Sequence, residues 1–128
     1  MKRHKPTPVW LQRIENLVAE GMPDVHVSGP ESECWVELKY ALRPKRESTR
    51  FLGSRGLRPG QINWHLKAAT KAIVTYVLIK DNHGAFYLVP GSLARYLNDM
   101  PREEILHETI ASDWPEIFTE LMNPKKGK

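Results

Sequence analysis

Residues 72–79, Ala-Ile-Val-Thr-Tyr-Val-Leu-Ile, are apolar on both alternating faces. A strand with one wet side alternates apolar and polar residues, so this run reads as a strand in the middle of a sheet, covered above and below. It needs partners on both edges, and the chain offers them. Asp81-Asn82-His83-Gly84 forms a turn signal, after which Ala85-Phe86-Tyr87-Leu88-Val89 folds back as a hairpin. Two further alternating runs stand upstream, Asp24-Val25-His26-Val27 and Cys34-Trp35-Val36-Glu37-Leu38-Lys39-Tyr40. Pro59-Gly60-Gln61 opens a helix with Ile62, Leu66 and Ala69 on one side and Trp64 and Ala68 beside them.

The flanks read as helices. Thr7-Pro8 is a helix start, Trp10, Ile14, Leu17 and Val18 follow at helical spacing, and Gly21 ends the run. Residues 92–97 form a short helix. Residues 101–122 carry one or two more, with Trp114, Ile117, Phe118 and Leu121 as the apolar stripe. Between the strands and the second helix, residues 41–60 carry Arg43, Lys45, Arg46, Arg50, Arg55 and Arg58 against one acid, Glu47, and are broken by Gly53, Gly56, Pro59 and Gly60. This reads as a mobile basic loop with a short strand around Arg50-Phe51-Leu52. The expectation is an α/β fold, a mixed sheet flanked by helices, with an αβββαβ core and a C-terminal helical extension. At 128 residues the chain is expected to be one domain, with a core over about 8–90, a helical segment over 91–122 and a basic tail over 123–128.

The side-chain chemistry concentrates on the two alternating runs. Successive strand residues point to opposite faces, so Val36 and Leu38 share one face while Glu37 and Lys39 share the other. Val25 and Val27 likewise oppose Asp24. If the valines of both strands join one core, two carboxylates and an ammonium meet above the opposite side. Magnesium prefers hard oxygens and takes one or two carboxylates with waters and phosphate oxygens. Asp24 and Glu37 supply the carboxylates, the Leu38 carbonyl a neutral oxygen, and Lys39 orients a water or neutralises a phosphate oxygen. The bland alternative is a turn aspartate and a solvated Glu/Lys pair.

Glu15 flanks the first helical stripe, and its neighbours three and four positions away (Leu11, Gln12, Val18 and Ala19) include no base, so a metal or its waters would serve as its partner. Gln61, in the first turn of its helix with His65 one turn on, suits a phosphate or metal-bound water as well as a cap. His26 and Trp35 share the face of the acids, although packing accounts for either one.

Glu15, Gly-Met-Pro-Asp at 21–24, Trp-Val-Glu-Leu-Lys at 35–39 and Arg-Pro-Gly-Gln-Ile-Asn-Trp-His at 58–65 together resemble the PD-(D/E)XK nuclease superfamily. Within it the chain is most similar to small phage-type VRR-NUC proteins, relatives of Holliday-junction resolvases. The resemblance runs from about Val9 to about Val89. It implies a restriction-endonuclease-like mixed sheet with the Glu-x-Lys strand near its centre, and Mg2+ or Mn2+ as cofactor. It implies that Asp24 and Glu37 bind metal, that Lys39 is the catalytic lysine, that Glu15 is the acid of the first helix, and that Gln61 is the glutamine opening the later helix. Many relatives have a glycine before the strand near Ala72; Lys71 and Ala72 stand here instead, which leaves the turn geometry open.

The leading reading is a metal-dependent endonuclease cutting DNA, branched or junction DNA included, with the six loop cations gripping the backbone. One rival is a non-catalytic nucleic-acid-binding module on the same fold. Another is a structural adaptor working through its basic tails. A homodimer is expected by analogy, because two symmetric cuts need two centres; 101–122 is the candidate surface. A net charge of +4 suits an anionic partner.

Several other classes are excluded. The histidines and the one cysteine lack zinc-ligand spacing, and neither a Gly-Lys-Ser/Thr phosphate loop nor a Gly-x-Ser-x-Gly elbow occurs. Cys34 cannot form an intrachain disulfide and reads as a packing residue. No apolar run approaches the ~20 residues that span a bilayer, and the basic start lacks a following apolar stretch. A cytoplasmic protein with no membrane contact is therefore expected, in the host cytoplasm if phage-encoded.

Overall fold

The computed structural model of the chain describes residues 10–13, 22–29 and 32–124. The doubly apolar segment forms β4 (Thr75–Asp81), buried at every position except Lys80. On one side it pairs in parallel with β3 (Glu33–Ala41), Glu37 opposite Val77 and Lys39 opposite Ile79. On the other it pairs antiparallel with β5 (Phe86–Pro90). Gly84 closes the hairpin at φ +85°, in the left-handed region that glycine enters without steric cost. Parallel neighbours need a crossover, and α1 (Pro59–Thr70) supplies it between β3 and β4. Antiparallel β2 (Val25–Ser28) flanks β3, and β1 (Trp10–Arg13) flanks β2, so the five strands lie in sequence order with β3 in the middle.

Each sheet face has its own core. On one face Val77, Ile79, Tyr87 and Val89 pack with Phe51, Leu52, Leu57, Leu97 and Ile105, drawn from α2 (Ala94–Leu97), α3 (Arg102–Glu108) and the 41–60 segment. On the other, Val27, Cys34, Val36, Leu78 and Leu88 pack with Ile117 and Leu121 of α4 (Trp114–Met122). Burying one such aliphatic side chain contributes about 1.5–3 kcal/mol. The register sets Val25 against Val36 and Val27 against Cys34, so the apolar residues of both strands do meet on one face and leave the acids on the other.

The carboxylate of Asp81, at the end of β4, is a buried structural hub. It accepts from the Arg43 guanidinium at 2.8 Å, the Tyr87 hydroxyl at 2.5 Å and the amides of His83 and Ala85. Burial alone would raise its pKa, but the bonds from Tyr87, Arg43 and the two amides outweigh it and hold the carboxyl well below the usual range. Arg102 donates in turn to the Tyr87 hydroxyl at 2.8 Å, which ties α3 to the same hub.

Four expectations need correction. The helix expected from Thr7 is a strand where it is described, Trp10–Arg13, in register with Arg13 opposite Val25. The free edge of β2 offers backbone hydrogen bonds that override the local 3.6-residue spacing. The 41–60 segment is anchored, not a free loop. Phe51, Leu52 and Leu57 are buried, a 3-10 turn spans Gly53–Arg55, and the strand expected near Arg50 shrinks to a single bridge to Pro101. The strand expected from Ala72 begins at Thr75, because α1 continues to Thr70 and its cap takes the residues between. In the α4 stripe Ile117 and Leu121 are buried, whereas Trp114 and Phe118 are exposed.

Cys34 is a packing residue. Burial, reinforced by the carboxylates of Glu120 and Glu33, pushes its thiol up to about 12. Among the described residues no helix is long and apolar enough to cross a membrane.

Candidate active site

Strand alternation delivers Glu37 and Lys39 to the face that α1 crosses. β2 is paired only as far as Val25 opposite Val36. The Leu38 amide therefore emerges beyond the end of the β2 ladder, and it donates to Asp24 Oδ2 at 2.9 Å. The amide and carbonyl of one strand residue point to the same side, so the Leu38 carbonyl opens toward the Asp24 side as well. Asp24 lies near enough to Glu37 for its charge to act on the Glu37 carboxyl.

Gln61 links the helix to the strand. Its Nε2 donates to Glu37 Oε2 at 2.9 Å, while its Oε1 accepts from Lys39 Nζ at 3.1 Å and from the Arg58 amide at 2.9 Å. The last bond is half of a capping box at the start of α1. One side chain thus starts the helix and holds both strand residues. Lys39 Nζ also donates to the Gly56 carbonyl at 3.2 Å and lies 3.8 Å from Glu37 Oε2.

Gly56 sits in a turn clamped by Asn98, whose side chain accepts from the Leu57 amide and donates to the Leu57 carbonyl, both at 2.8 Å. A Cβ at position 56 would collide with Asn98, so the glycine permits the clamp that presents its carbonyl to Lys39.

Electrostatics single out Glu37, which is 1% exposed. Burial first, then the charge of Asp24, push its carboxyl up to about 8, against the opposing pull of Lys39 and Arg58. Its Oε1 is buried and has no hydrogen-bond partner among the described residues. Such an orphaned acceptor is costly unless something outside the chain satisfies it. Among the described residues no three His, Cys, Asp or Glu side chains gather to hold a metal, a donor set unlike that of a zinc centre. Two carboxylates beside a backbone carbonyl fit a hard cation such as Mg2+ or Mn2+, which completes its shell with waters and phosphate oxygens. Among the described residues, two of the three Lys39 ammonium donors make hydrogen bonds, to Gly56 and Gln61, near the same point.

The structure thus brings together Asp24, Glu37, Leu38, Lys39 and Gln61. Glu15 lies outside the described residues. Of the six cations expected to meet nucleic acid, Arg43 is held by Asp81 at 2.8 Å. Arg50 pairs with Asp99 at 3.5 Å on the surface. Lys45, Arg46, Arg55 and Arg58 are exposed, and Arg58 is near enough to Glu37 to lower its pKa.

Sequence reasoning missed three supports: the Asp24–Leu38 amide bond, the Gly56–Asn98 clamp, and the packing of His65. His65 is fully buried, its Nδ1 2.8 Å from Thr75 Oγ1. Burial and then the charge of Lys39 hold its imidazole down at about 4, so it is neutral. Gly91 leaves the room this pair needs, because a Cβ there would collide with the Thr75 hydroxyl. The one available signal was the position of His65 a turn beyond Gln61 on the same helix face.

No protein-family model matches the sequence, and no curated protein matches it. Among solved structures the chain is similar to Hjc of Archaeoglobus fulgidus, a Holliday junction resolvase from an archaeal hyperthermophile. The identity is 15% and the TM-score 0.46, over 66% of this chain and 65% of that one.

Proposed function

We propose that the chain is a metal-dependent endonuclease that hydrolyses phosphodiester bonds in DNA, acting as a single nuclease domain. One observation carries the reading: among the described residues the buried Glu37 Oε1 has no hydrogen-bond partner, and it lies near Asp24 and the ammonium of Lys39. A bound Mg2+ or Mn2+ would supply an acidified water and offset charge at the phosphorus centre.

The chain's own residues do the rest. Asp24 and Glu37 would hold the ion, with the Leu38 carbonyl beside them. Two donors of Lys39 are fixed by Gly56 and Gln61, so the third is aimed, ready for a phosphate oxygen or the attacking water. Gln61 keeps Glu37 and Lys39 in register. Arg58 is exposed near Glu37, and the exposed Lys45, Arg46 and Arg55 are further cations for the phosphate backbone. Branched DNA cut by a homodimer is the finer form of the proposal.

The test is incubation of the purified protein with linear, flapped and four-way DNA in Mg2+, Mn2+ or chelator. Ion-dependent cutting is expected, strongest on a branched substrate. Binding without cutting in either ion would leave only the nucleic-acid-binding module.

A further inference from the structure

Next to the acids, on the same sheet face, stands a row of aromatic rings that the proposed chemistry does not use. Trp35 precedes Glu37 by two residues on β3, roughly 7 Å along the strand. The His26 ring, opposite Trp35 in the register, stacks on it with centroids 4.3 Å apart and planes 29° apart. Trp64 of α1 meets Trp35 edge-on at 5.5 Å. His26 is braced from behind by a 2.7 Å contact between its Nε2 and Glu33 Oε1. Among the described residues neither tryptophan belongs to the two apolar clusters, and all three residues are half-buried. A row that served only to fill the core would lie inside one of those clusters. This one runs from β2 across β3 to α1, beside the pocket of Lys39 and Arg58.

We propose that the ring row His26–Trp35–Trp64 is a stacking site for an unpaired nucleobase of a DNA strand whose backbone phosphate lies at Lys39 and Arg58. This deepens the nuclease reading and rests on it for the position of the phosphate. Charge complementarity argues for the occupant. Cations and an indole on one sheet face, with Lys39 four residues beyond Trp35 on β3, match an anionic backbone carrying a flat π-face, and every base can stack on an aromatic ring. In a continuous duplex each base face is already covered by its neighbours. Only a single-stranded, frayed or flipped nucleotide can reach Trp35. The site therefore favours DNA with unpaired nucleotides next to the bond to be cut.

The experiment is done in chelator, where cutting plays no part. Binding of the full chain is measured by fluorescence anisotropy to a short oligothymidylate, to the same oligonucleotide with abasic sugars replacing the bases, and to a blunt duplex. The abasic strand should bind about 5- to 100-fold more weakly than the thymidylate strand. Trp35→Leu should remove that difference, Trp35→Phe should retain most of it, and duplex affinity should stay the same in both variants. Equal affinity of the wild-type protein for abasic and thymidylate strands overturns the proposal, and it does so even if Trp35→Leu fails to fold. An equal loss on duplex and single strand in a folded Trp35→Leu protein also overturns it. Base-dependent binding by a protein that never cuts would keep the stacking site and discard the nuclease; cutting without base dependence would do the reverse.

Discussion

Asp24 Oδ2 accepts the Leu38 amide at 2.9 Å, and this bond sets the spacing of the two acids. Leu38 follows Glu37 directly, so the bond locks the Asp24 carboxylate over the very turn of strand that carries Glu37. Asp24→Asn keeps an acceptor for that amide, whereas Asp24→Ala does not. Both remove the charge, and the difference between them isolates the hydrogen bond. The asparagine variant is expected to be more stable than the alanine variant by about 1 kcal/mol in urea denaturation, while both lose ion-dependent cutting. Equal stabilities would mean that the bond does not hold the loop.

The pH dependence of stability follows from Glu37, whose carboxyl is raised from 4.5 to about 8 by burial and then by Asp24. Between these values the folded protein keeps a proton that the unfolded chain has released. Its contribution is fully present below the lower value and is lost as pH rises through the upper one. In chelator, wild-type stability is expected to fall across this window more steeply than that of Glu37→Gln, each unit of displacement being worth about 1.4 kcal/mol. Saturating Mg2+, which needs the deprotonated carboxylate, should flatten the slope. Identical slopes in wild type and Glu37→Gln would place the titration on another group.

Gln61 bonds to Glu37, Lys39 and the Arg58 amide, so its loss should be felt in rate more than in binding. Gln61→Ala is expected to lower single-turnover cleavage by about 10- to 100-fold, as loss of a support behind metal ligands commonly does. DNA affinity in chelator should change little. A variant that cuts at the wild-type rate would reduce Gln61 to a helix cap.

Ala72 sits at φ +59°. The amides of Ala72 and Ile73 bond back to the Ala69 and Ala68 carbonyls, the pattern of a left-handed helix C-cap that usually carries glycine. Ala72→Gly should raise stability by about 1 kcal/mol in urea denaturation and leave cutting unchanged. A destabilised variant would show that the alanine methyl packs in a way that outweighs its backbone strain.

The shared face of Glu37 and Lys39 was legible because strand alternation is local. Glu37 and Lys39 had to share a face, and the valines decided which. The turn geometry before β4, which the sequence left open, shows as a positive φ at Ala72. What escaped depended on contacts distant in sequence. Trp10–Arg13 carries helical spacing, but its conformation is decided by the edge of β2. The 41–60 segment looked free because its charges and glycines are local. Its anchors include Asn98, which bonds to Leu57 from 41 positions away. Asp81 read as a turn residue, and only the fold brings Arg43 and Tyr87 onto it.

The central claim is that Asp24 and Glu37 together hold the divalent cation on which cutting depends. Isothermal titration of Mn2+ and Mg2+ into wild type, Asp24→Asn and Glu37→Gln, at a pH above the raised Glu37 value of about 8, tests it most directly. The account predicts ion binding to wild type and at least a roughly 10-fold loss of affinity in each variant. Wild-type affinity retained in both variants would contradict it.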